Sequence, residues 1–591
     1  MVSLDQLNQM SVTPTPGGGQ RKKWDPLGRT ESVVANPLFA YGAILALQLR
    51  IIWKIWQYKD LAFGDTSSYF LDATSWAHGL HDDIVWSPLY TDFLGTIIAV
   101  FRGHVYGAVV AQRIVIVLAA TLLVLALMRA LLGPAMGLLV TVWWAVLPVN
   151  FNVLYEVHLF SVLPLLFAAI ILARAPGRTA VGISLAILIG TTLLLRNELI
   201  IGTLIFVVAI VVHEIRERRV HSVPFGVYAR TFGVPVIIAC LLASALYWRS
   251  FDQGHQVTGA LRAKSGLNLC QSYAFNYQQR HPTKFTGSAF TECQPLMKQV
   301  FGRDEPSFIQ ATIADPRAMG AYVLWNGRLL TSGLQVALFN ATATGNQPDY
   351  LSVETDRTYV LVLSIITLAL LIAGGWILSR ELQSQHRGWL SKRAWVIVMF
   401  SAVTITTIFV ALLERPRPEY MYGMTIAIMV LVGACLAALL RRVNGTRFIA
   451  PVAIVLPVTL LVALPSYYTK GPRPLRDAVD RTQVVGSALQ QPGSVLIAAQ
   501  FNFEICAYLA KTNLRHCTSP SWPTLQAQLA GGAPIQTVLT RAKATAIYAE
   551  SLLLGDPSIA RLVAAPRRYG WRQVAGGDGE GGPWHVLVRA N

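Results

Sequence analysis

The feature that most constrains this chain is a succession of apolar runs separated by short polar connections. Helices of about 17–25 apolar residues are long enough to cross a bilayer. About eleven such runs are recognisable. They lie at 37–58, 107–128, 134–151, 157–173, 180–195, 199–213, 230–248, 357–378, 394–412, 421–440 and 447–465. Only 14% of the 591 residues are charged, against about 25% in soluble proteins. The sequence therefore predicts a polytopic α-helical membrane protein.

The basic residues indicate how these spans are oriented. With the N-terminus in the cytoplasm, the connections that carry Arg129, Arg178 and Arg441 all fall on the inner side, as the positive-inside rule requires. The polar residues 1–36 then form a disordered cytoplasmic tail. We predict a multi-pass protein of the inner (cytoplasmic) membrane. Because the net charge of +18 is distributed over short connections, no nucleic-acid partner is expected.

This orientation divides the chain into three parts. After the tail, residues 37–465 form a transmembrane domain with an acidic outer loop at 59–106 and a large outer loop at 249–356. Residues 466–591 alternate short apolar runs with helical patterns, which predicts an extracytoplasmic α/β domain. That domain lacks a glycine-rich phosphate-binding turn, so a docking or structural role is favoured over nucleotide binding. The apolar segment Ser87–Arg102 is too short for a span and is interpreted as a juxtamembrane helix.

Four cysteines form two local pairs in the predicted outer regions. Cys270 and Cys293 share the large outer loop, and Cys506 and Cys517 share the C-terminal part. Local pairs in an oxidising compartment favour disulfides over free thiols. No CxxC spacing or cluster of cysteine and histidine indicates zinc.

The acidic loop carries the first candidate for chemistry. Asp65 follows the first span directly, where a carboxylate in a partly dry site could accept a proton from an acceptor hydroxyl. An N-cap of the following helix explains Asp65 equally well. Asp82 and Asp83 are adjacent carboxylates that could contact substrate or bind a divalent cation. A solvated turn is the favoured interpretation of that pair, and the metal requirement stays open.

Two further outer turns carry charged groups at span ends. Glu156 and His158 lie at one such end, where a second acid could share the role of base or hold a metal; a solvated span end is the alternative. Arg196 and Glu198 lie in the next outer turn, as a structural pair or a phosphate-binding site.

The segment before the tenth span is unusual for an outer connection because it is basic. Arg415 and Arg417 are each followed by proline, and Tyr420 begins the apolar run. Arginines on the outer side oppose the positive-inside bias. Held at the interface by the prolines, they favour binding of a lipid phosphate.

The first outer loop resembles a known family. Gly64 to Phe70 (GDTSSYF), then Trp76 to Gly79 (WAHG) and Ser87 to Tyr90 (SPLY), are similar to the opening of the GT-C superfamily of polytopic glycosyltransferases. This superfamily includes protein O-mannosyltransferases and aminoarabinose transferases. The match covers Asp65 to Tyr90 in motif and about the first 200 residues in layout. The C-terminal domain also resembles that of arabinofuranosyltransferases. Ser87-Pro88 replaces the family's double proline.

The resemblance implies an inverting transferase that uses a polyprenyl-phosphate sugar on the outer face of the membrane. It implies Asp65 as base, Glu156 as second acidic residue, and Arg415 and Arg417 as ligands of the lipid phosphate, with Arg196 assisting. The acceptor would be a glycan, lipid or protein of the cell envelope. Two alternatives are a transporter or flippase of lipid-linked sugars and a non-catalytic assembly subunit. The sequence shows no clear inverted repeat, which disfavours the transporter.

Overall fold

The computed structural model describes most of the chain. The described residues are 26–58, 69–70, 73, 87–101, 105–152, 156–175, 177–218, 224–250, 257–290, 292–348, 353–384, 388–469, 484–487, 494–497, 514–517, 522–579 and 582–590. Within them the protein is mostly helical, with a small sheet near the C-terminus. Eight of the described helices are long and apolar enough to cross a membrane.

The helices of the first half are, in chain order, α1 Pro26–Ala35, α2 Pro37–Ile51, α3 Ile55–Tyr58, α4 Pro88–Val100, α5 Val105–Leu132, α6 Pro134–Val146, α7 Glu156–Arg174, α8 Arg178–Leu194, α9 Ile200–Arg218, α10 Phe225–Tyr228 and α11 Val234–Ser250. Those of the second half are α12 Val257–Arg280, α13 Cys293–Phe301, α14 Phe308–Ala314, α15 Pro316–Phe339, α16 Arg357–Ser384, α17 Gly388–Leu413, α18 Tyr422–Arg442 and α19 Ile449–Ala463.

The membrane-length helices agree with the sequence prediction. Each of the eight overlaps one of the predicted runs, and the remaining three runs correspond to the shorter apolar helices α2, α6 and α8. Two of these end earlier than predicted. Helix α6 ends at Val146 because Pro148 cannot donate a backbone hydrogen bond to extend it. Helix α2 ends at Ile51, and Lys54 then adopts a left-handed conformation (φ 70°).

Glycine allows the closest helix contacts in the bundle. A Cβ atom at Gly182 of α8 would lie 1.8 Å from the Thr231 carbonyl oxygen, in the π-helical turn Ala229–Gly233 between α10 and α11. A Cβ atom at Gly374 of α16 would lie 2.5 Å from Cys435 Cβ of α18. In a bilayer an apolar side chain gains little by moving from lipid to a neighbouring helix. Helices that lie in a membrane are therefore held together by close packing of this kind.

Helices α12 to α15 share an apolar core of their own, and we call residues 257–348 the 257–348 helical region. The predicted disulfide Cys270–Cys293 is present, with the two Cα atoms 5.4 Å apart. Both cysteines are buried in an apolar core with Tyr273 and Tyr322. The residue pattern of this region predicts helices around 306–326, and α15 extends beyond that range to Phe339.

The C-terminal part is an α/β unit, as its alternating pattern predicts. The strands are β1 Ser494–Ile497, β2 Leu514–Cys517, β3 Ala546–Ala549, β4 Trp571–Gly579 and β5 Gly582–Arg589. They form one sheet in the order β2-β1-β3-β5-β4, in which β1 pairs in parallel with β2 and β3 while β5 is antiparallel to β3 and β4. Helices α20 Trp522–Ala530, α21 Ile535–Arg541, α22 Ser551–Leu554 and α23 Pro557–Ala564 accompany them.

Candidate functional site

Three short 3₁₀ turns at helix junctions mark one end of the bundle, which we call the site end. They are Pro148–Asn150, Asn197–Leu199 and Pro418–Met421. The Tyr422 hydroxyl donates to the Val149 carbonyl (2.5 Å), which joins the first and third of these connections. At these turns the helices are interrupted, so some backbone N–H and C=O groups lack the partner that a continuous helix would provide.

Tyr420 brings three of the predicted site residues together. Arg196 Cζ lies 4.9 Å from the centroid of the Tyr420 ring, and Arg417 Cζ lies 5.2 Å from it. The His158 ring packs edge-on against Tyr420 with 4.8 Å between the centroids, and the Arg196 guanidinium contacts His158 Nδ1. Cations within about 6 Å of an aromatic ring are attracted to it. We call these four residues the Tyr420 cluster.

Each arginine of the Tyr420 cluster is paired with a carboxylate two residues further along the chain. Arg196 Nε donates to Glu198 Oε2, and a second guanidinium nitrogen contacts Oε1, both at 3.2 Å. Arg417 donates to Glu419 Oε1 at 3.0 Å, and both residues are buried. The positive charge is therefore partly compensated within the protein.

The environment of Arg196 keeps it protonated. Burial by itself would lower the pKa of this guanidinium. The negative charge of Glu198, with contributions from Tyr420 and Glu414, outweighs burial and raises the pKa above its ordinary value. Arg196 is therefore a permanent cation at the site end.

A small cavity lies beside the Tyr420 cluster. Its volume is about 50 Å³, and since a water molecule needs roughly 10–15 Å³, it has room for a few waters or a group of similar size. At the helix ends it is lined by His158, Arg196, Glu198, Glu419 and Tyr420. Deeper in the bundle it is lined by apolar side chains, including Val162, Leu165, Val403 and Val410. The hydroxyl side chains of Ser161, Thr406 and Thr407 also line this part. Charged groups of the helix ends and apolar side chains of the bundle therefore line the same cavity.

Glu156 lies in a different environment from the Tyr420 cluster. Its Oε1 accepts a hydrogen bond from Arg113 Nε at 2.7 Å and also lies 2.5 Å from a terminal guanidinium nitrogen. The Arg113 side chain is 7% exposed and that of Glu156 is 1% exposed. We call these two residues the Arg113–Glu156 pair. It is a buried ion pair between α5 and α7, in which each charge requires the other.

The connection after the last helix of the bundle covers this pair. Tyr468 lies in the turn Tyr467–Thr469, and its hydroxyl donates to Asn152 Oδ1 at 3.3 Å. Burial raises the pKa of Tyr468 to about 12, opposed by the nearby Arg113. The chain that leads to the α/β unit therefore contacts the surroundings of Glu156 directly.

The end of the first outer loop is attached to the Arg196 turn. Ser87 Oγ donates to the Leu195 carbonyl at 2.7 Å, one residue before Arg196. The neighbouring Tyr90 donates to Gln112 Oε1 at 3.2 Å, next to Arg113. The motif that carries the family resemblance thus ends between the two charged groups of the site end.

Several predicted site residues are not described. Asp65, Asp82, Asp83 and Cys506 lie outside the described residues, and of Cys517 only its place in β2 is known. Arg415 lies close to the cluster in sequence, and its Cζ is 5.2 Å from the Phe275 ring of the 257–348 helical region. Within the described ranges, no three side chains of histidine, cysteine, aspartate or glutamate come together as metal ligands would.

Sequence reasoning missed Arg113 and Tyr468 as parts of the site. Arg113 was visible as a charge inside an apolar run, which by itself points to a buried partner. Tyr468 carried no local signal. Comparison with family models and with curated proteins found no match for this chain.

Proposed function

We propose that this protein is an inverting membrane glycosyltransferase of the GT-C type, with about eleven spans. It would move a sugar, such as an arabinofuranosyl group, from a polyprenyl-phosphate donor to an envelope glycan, lipid or protein. The observation that carries this proposal is that the guanidinium groups of Arg196 and Arg417 both contact the Tyr420 ring, beside the small cavity. Charged and apolar side chains that line one cavity suit an amphipathic phosphate ester.

Arg196 and Arg417, together with Arg415 of the same segment as Arg417, would bind the phosphate of the donor and stabilise it as it leaves. A guanidinium presents several donors in a planar fork that matches phosphate oxygens. Charge that develops on the leaving phosphate is stabilised by donors already in place. Glu198 and Glu419 occupy part of these donors, so a bound phosphate would share them or take them over.

The acidic groups would have separate roles. Asp65, assigned from the sequence, would accept the proton of the acceptor hydroxyl as the sugar is transferred with inversion. Glu156 is the second acidic residue of the proposal. Its buried bond to Arg113 favours a role in orienting the site over proton transfer, because a carboxylate bound in an ion pair is a weak base.

The proposed orientation places the site end on the outer face of the inner membrane. The N-terminus would lie in the cytoplasm, and the 257–348 helical region and the α/β unit outside. The disulfide Cys270–Cys293 supports this arrangement, since disulfides persist in oxidising compartments.

The test combines identification of the lipid with a transfer assay. Mass spectrometry of lipids that copurify with the full-length protein should detect a polyprenyl phosphate or its glycosylated form. With that donor supplied, Asp65→Asn should abolish sugar transfer. Transfer that survives in Asp65→Asn would exclude the proposed base. Binding of the lipid without any transfer by the wild-type protein would favour the flippase, and the absence of both would favour an assembly subunit.

A further inference from the structure

Two side chains of α15 donate hydrogen bonds to the backbone carbonyls at the end of α17. The Tyr322 hydroxyl donates to the carbonyls of Leu413 (2.8 Å) and Glu414 (2.7 Å). Asn326 Nδ2 donates to the carbonyls of Leu412 (3.0 Å) and Glu414 (2.9 Å). The last carbonyls of a helix have no partner within it. Two residues of the 257–348 helical region therefore fix the end of α17, directly before Arg415.

The backbone of α15 also lies against the peptide between the two arginines. A Cβ atom at Gly333 would be 2.5 Å from the Pro416 carbonyl oxygen and 2.9 Å from Met421 Sδ. Only a residue without a side chain permits this contact. Gly333 lies seven residues after Asn326, so both lie on the same face of α15. One face of one helix therefore contacts the chain from the end of α17 to Pro416.

Helix α12 fixes the orientation of Asn326. Asn276 Nδ2 donates to Asn326 Oδ1 at 3.0 Å and to the Tyr322 carbonyl at 3.1 Å. Asn276 is 1% exposed and Asn326 is fully buried. Phe275, the neighbour of Asn276, packs against Arg415. The amide of Asn326 is thus held in the rotamer that bonds the end of α17.

We propose that Asn276, Tyr322, Asn326 and Gly333 are positioning residues for the binding of a lipid phosphate by Arg415 and Arg417. This inference rests on the proposed function. The 257–348 helical region holds the backbone that carries both guanidinium groups, so its contribution is to affinity for the phosphate. Loss of a positioning contact raises the KM for the lipid donor and leaves kcat nearly unchanged.

The test is a double-mutant cycle on the full-length protein in nanodiscs, with farnesyl phosphate as the probe. Asn326→Ala should weaken binding roughly 3- to 30-fold, and Arg415→Ala at least as much. If Asn326 acts through Arg415 and Arg417, the double variant loses less affinity than the sum of the two single losses, because one of the two groups that Asn326 positions is already absent. A general loss of stability would produce additive losses instead.

Gln279→Ala is the matched control. Gln279 lies one turn after Asn276 on α12 and accepts a hydrogen bond from Trp325 of α15 (2.9 Å), and its amide donates to Gln347. The control therefore removes a side-chain bond between the same two helices. The bonds of Gln279 to Trp325 and Gln347 do not reach the end of α17. Its affinity for farnesyl phosphate should equal that of the wild type.

Gly333→Ala is a second route to the same result, should Asn326→Ala fold poorly. It displaces Pro416 without leaving a buried polar group unpaired, and it should weaken binding and accelerate amide hydrogen exchange at residues 414–421. Unchanged affinity in Gly333→Ala, or additive losses in the cycle, would overturn the inference and leave the proposed function standing. Failure of the wild-type protein to bind any polyprenyl phosphate would overturn both.

Discussion

The Arg113–Glu156 pair and the Tyr420 cluster lie at the same end of the bundle but differ in how their charges are compensated. The pair is a contact between two helices, and its carboxylate is almost inaccessible. In the cluster, two guanidinium groups share one aromatic ring beside a cavity, and each is bonded to a carboxylate of its own turn. We therefore expect the buried pair to stabilise the fold, and the charged groups beside the cavity to bind a ligand.

The largest expected effect is on the Arg113–Glu156 pair. Glu156→Gln removes the carboxylate charge that contacts the buried Arg113, which costs about 3–5 kcal/mol of stability. Thermal unfolding of the purified protein should show a large decrease in melting temperature. The double variant Arg113→Met/Glu156→Leu should recover much of the loss, because apolar residues of similar size replace buried pairs well. A stable Glu156→Gln variant with no activity would instead assign Glu156 to the chemistry.

The second largest effect is expected in the Tyr420 cluster, where a substitution should reduce ligand affinity and not stability. Arg196→Ala removes a guanidinium whose charged hydrogen bonds to a bound phosphate would each be worth about 1.5–3 kcal/mol. We expect affinity for a polyprenyl phosphate to fall roughly 10- to 100-fold, with little change in melting temperature. Isothermal titration in nanodiscs measures the first quantity and a thermal melt the second. A loss of stability as large as that of Glu156→Gln would remove the distinction between pair and cluster.

A smaller effect is expected at Tyr420. Tyr420→Leu removes the ring that both arginines contact, and cation–π contacts are worth about 0.5–2 kcal/mol. Tyr420→Phe keeps the ring and is the matched control. Lipid phosphate affinity should therefore decrease in the leucine variant and remain close to wild type in the phenylalanine variant. Equal losses in both variants would assign the effect to the hydroxyl.

The smallest effect concerns Tyr468 and appears only at alkaline pH. Burial raises the pKa of Tyr468 to about 12, above about 10 in the unfolded chain. Between these values the native state holds a proton that the unfolded state has lost, so stability falls as pH rises through this window. Tyr468→Phe lacks this titration, and its melting temperature should fall less between pH 10 and pH 12. Parallel curves for both proteins would contradict the assignment.

Local patterns in the sequence predicted the elements well and the site only partly. The length of the apolar runs predicted the helices that are long enough to cross a membrane. Short alternating runs predicted strands such as β3 at Ala546–Ala549. Both signals depend on neighbouring residues alone. The contact of Arg113 with Glu156 joins residues 43 positions apart, and that of Asn326 with Leu412 joins residues 86 positions apart. Such contacts depend on how helices pack, which no single-sequence pattern records.

The predicted arginine segment illustrates the same limit. The unusual charge of Arg415 and Arg417 was visible in the sequence because it opposed the topology bias. Nothing local indicated that Gly333 would lie against the proline between them. A glycine within an apolar helix has many explanations, and only the packed structure selects one.

The contacts of Ser466 have a consequence for the order in which the protein is assembled. Its hydroxyl donates to the carbonyls of Ile51 and Trp53, the latter 413 residues earlier in the chain. At about 5–20 residues per second, roughly 20–80 s of translation separate the two ends of this contact. The Arg113–Glu156 pair acquires its Tyr468 cover only then. A nascent chain that stops before Ser466 therefore lacks both the contact that joins its two ends and the tyrosine next to the buried charge pair.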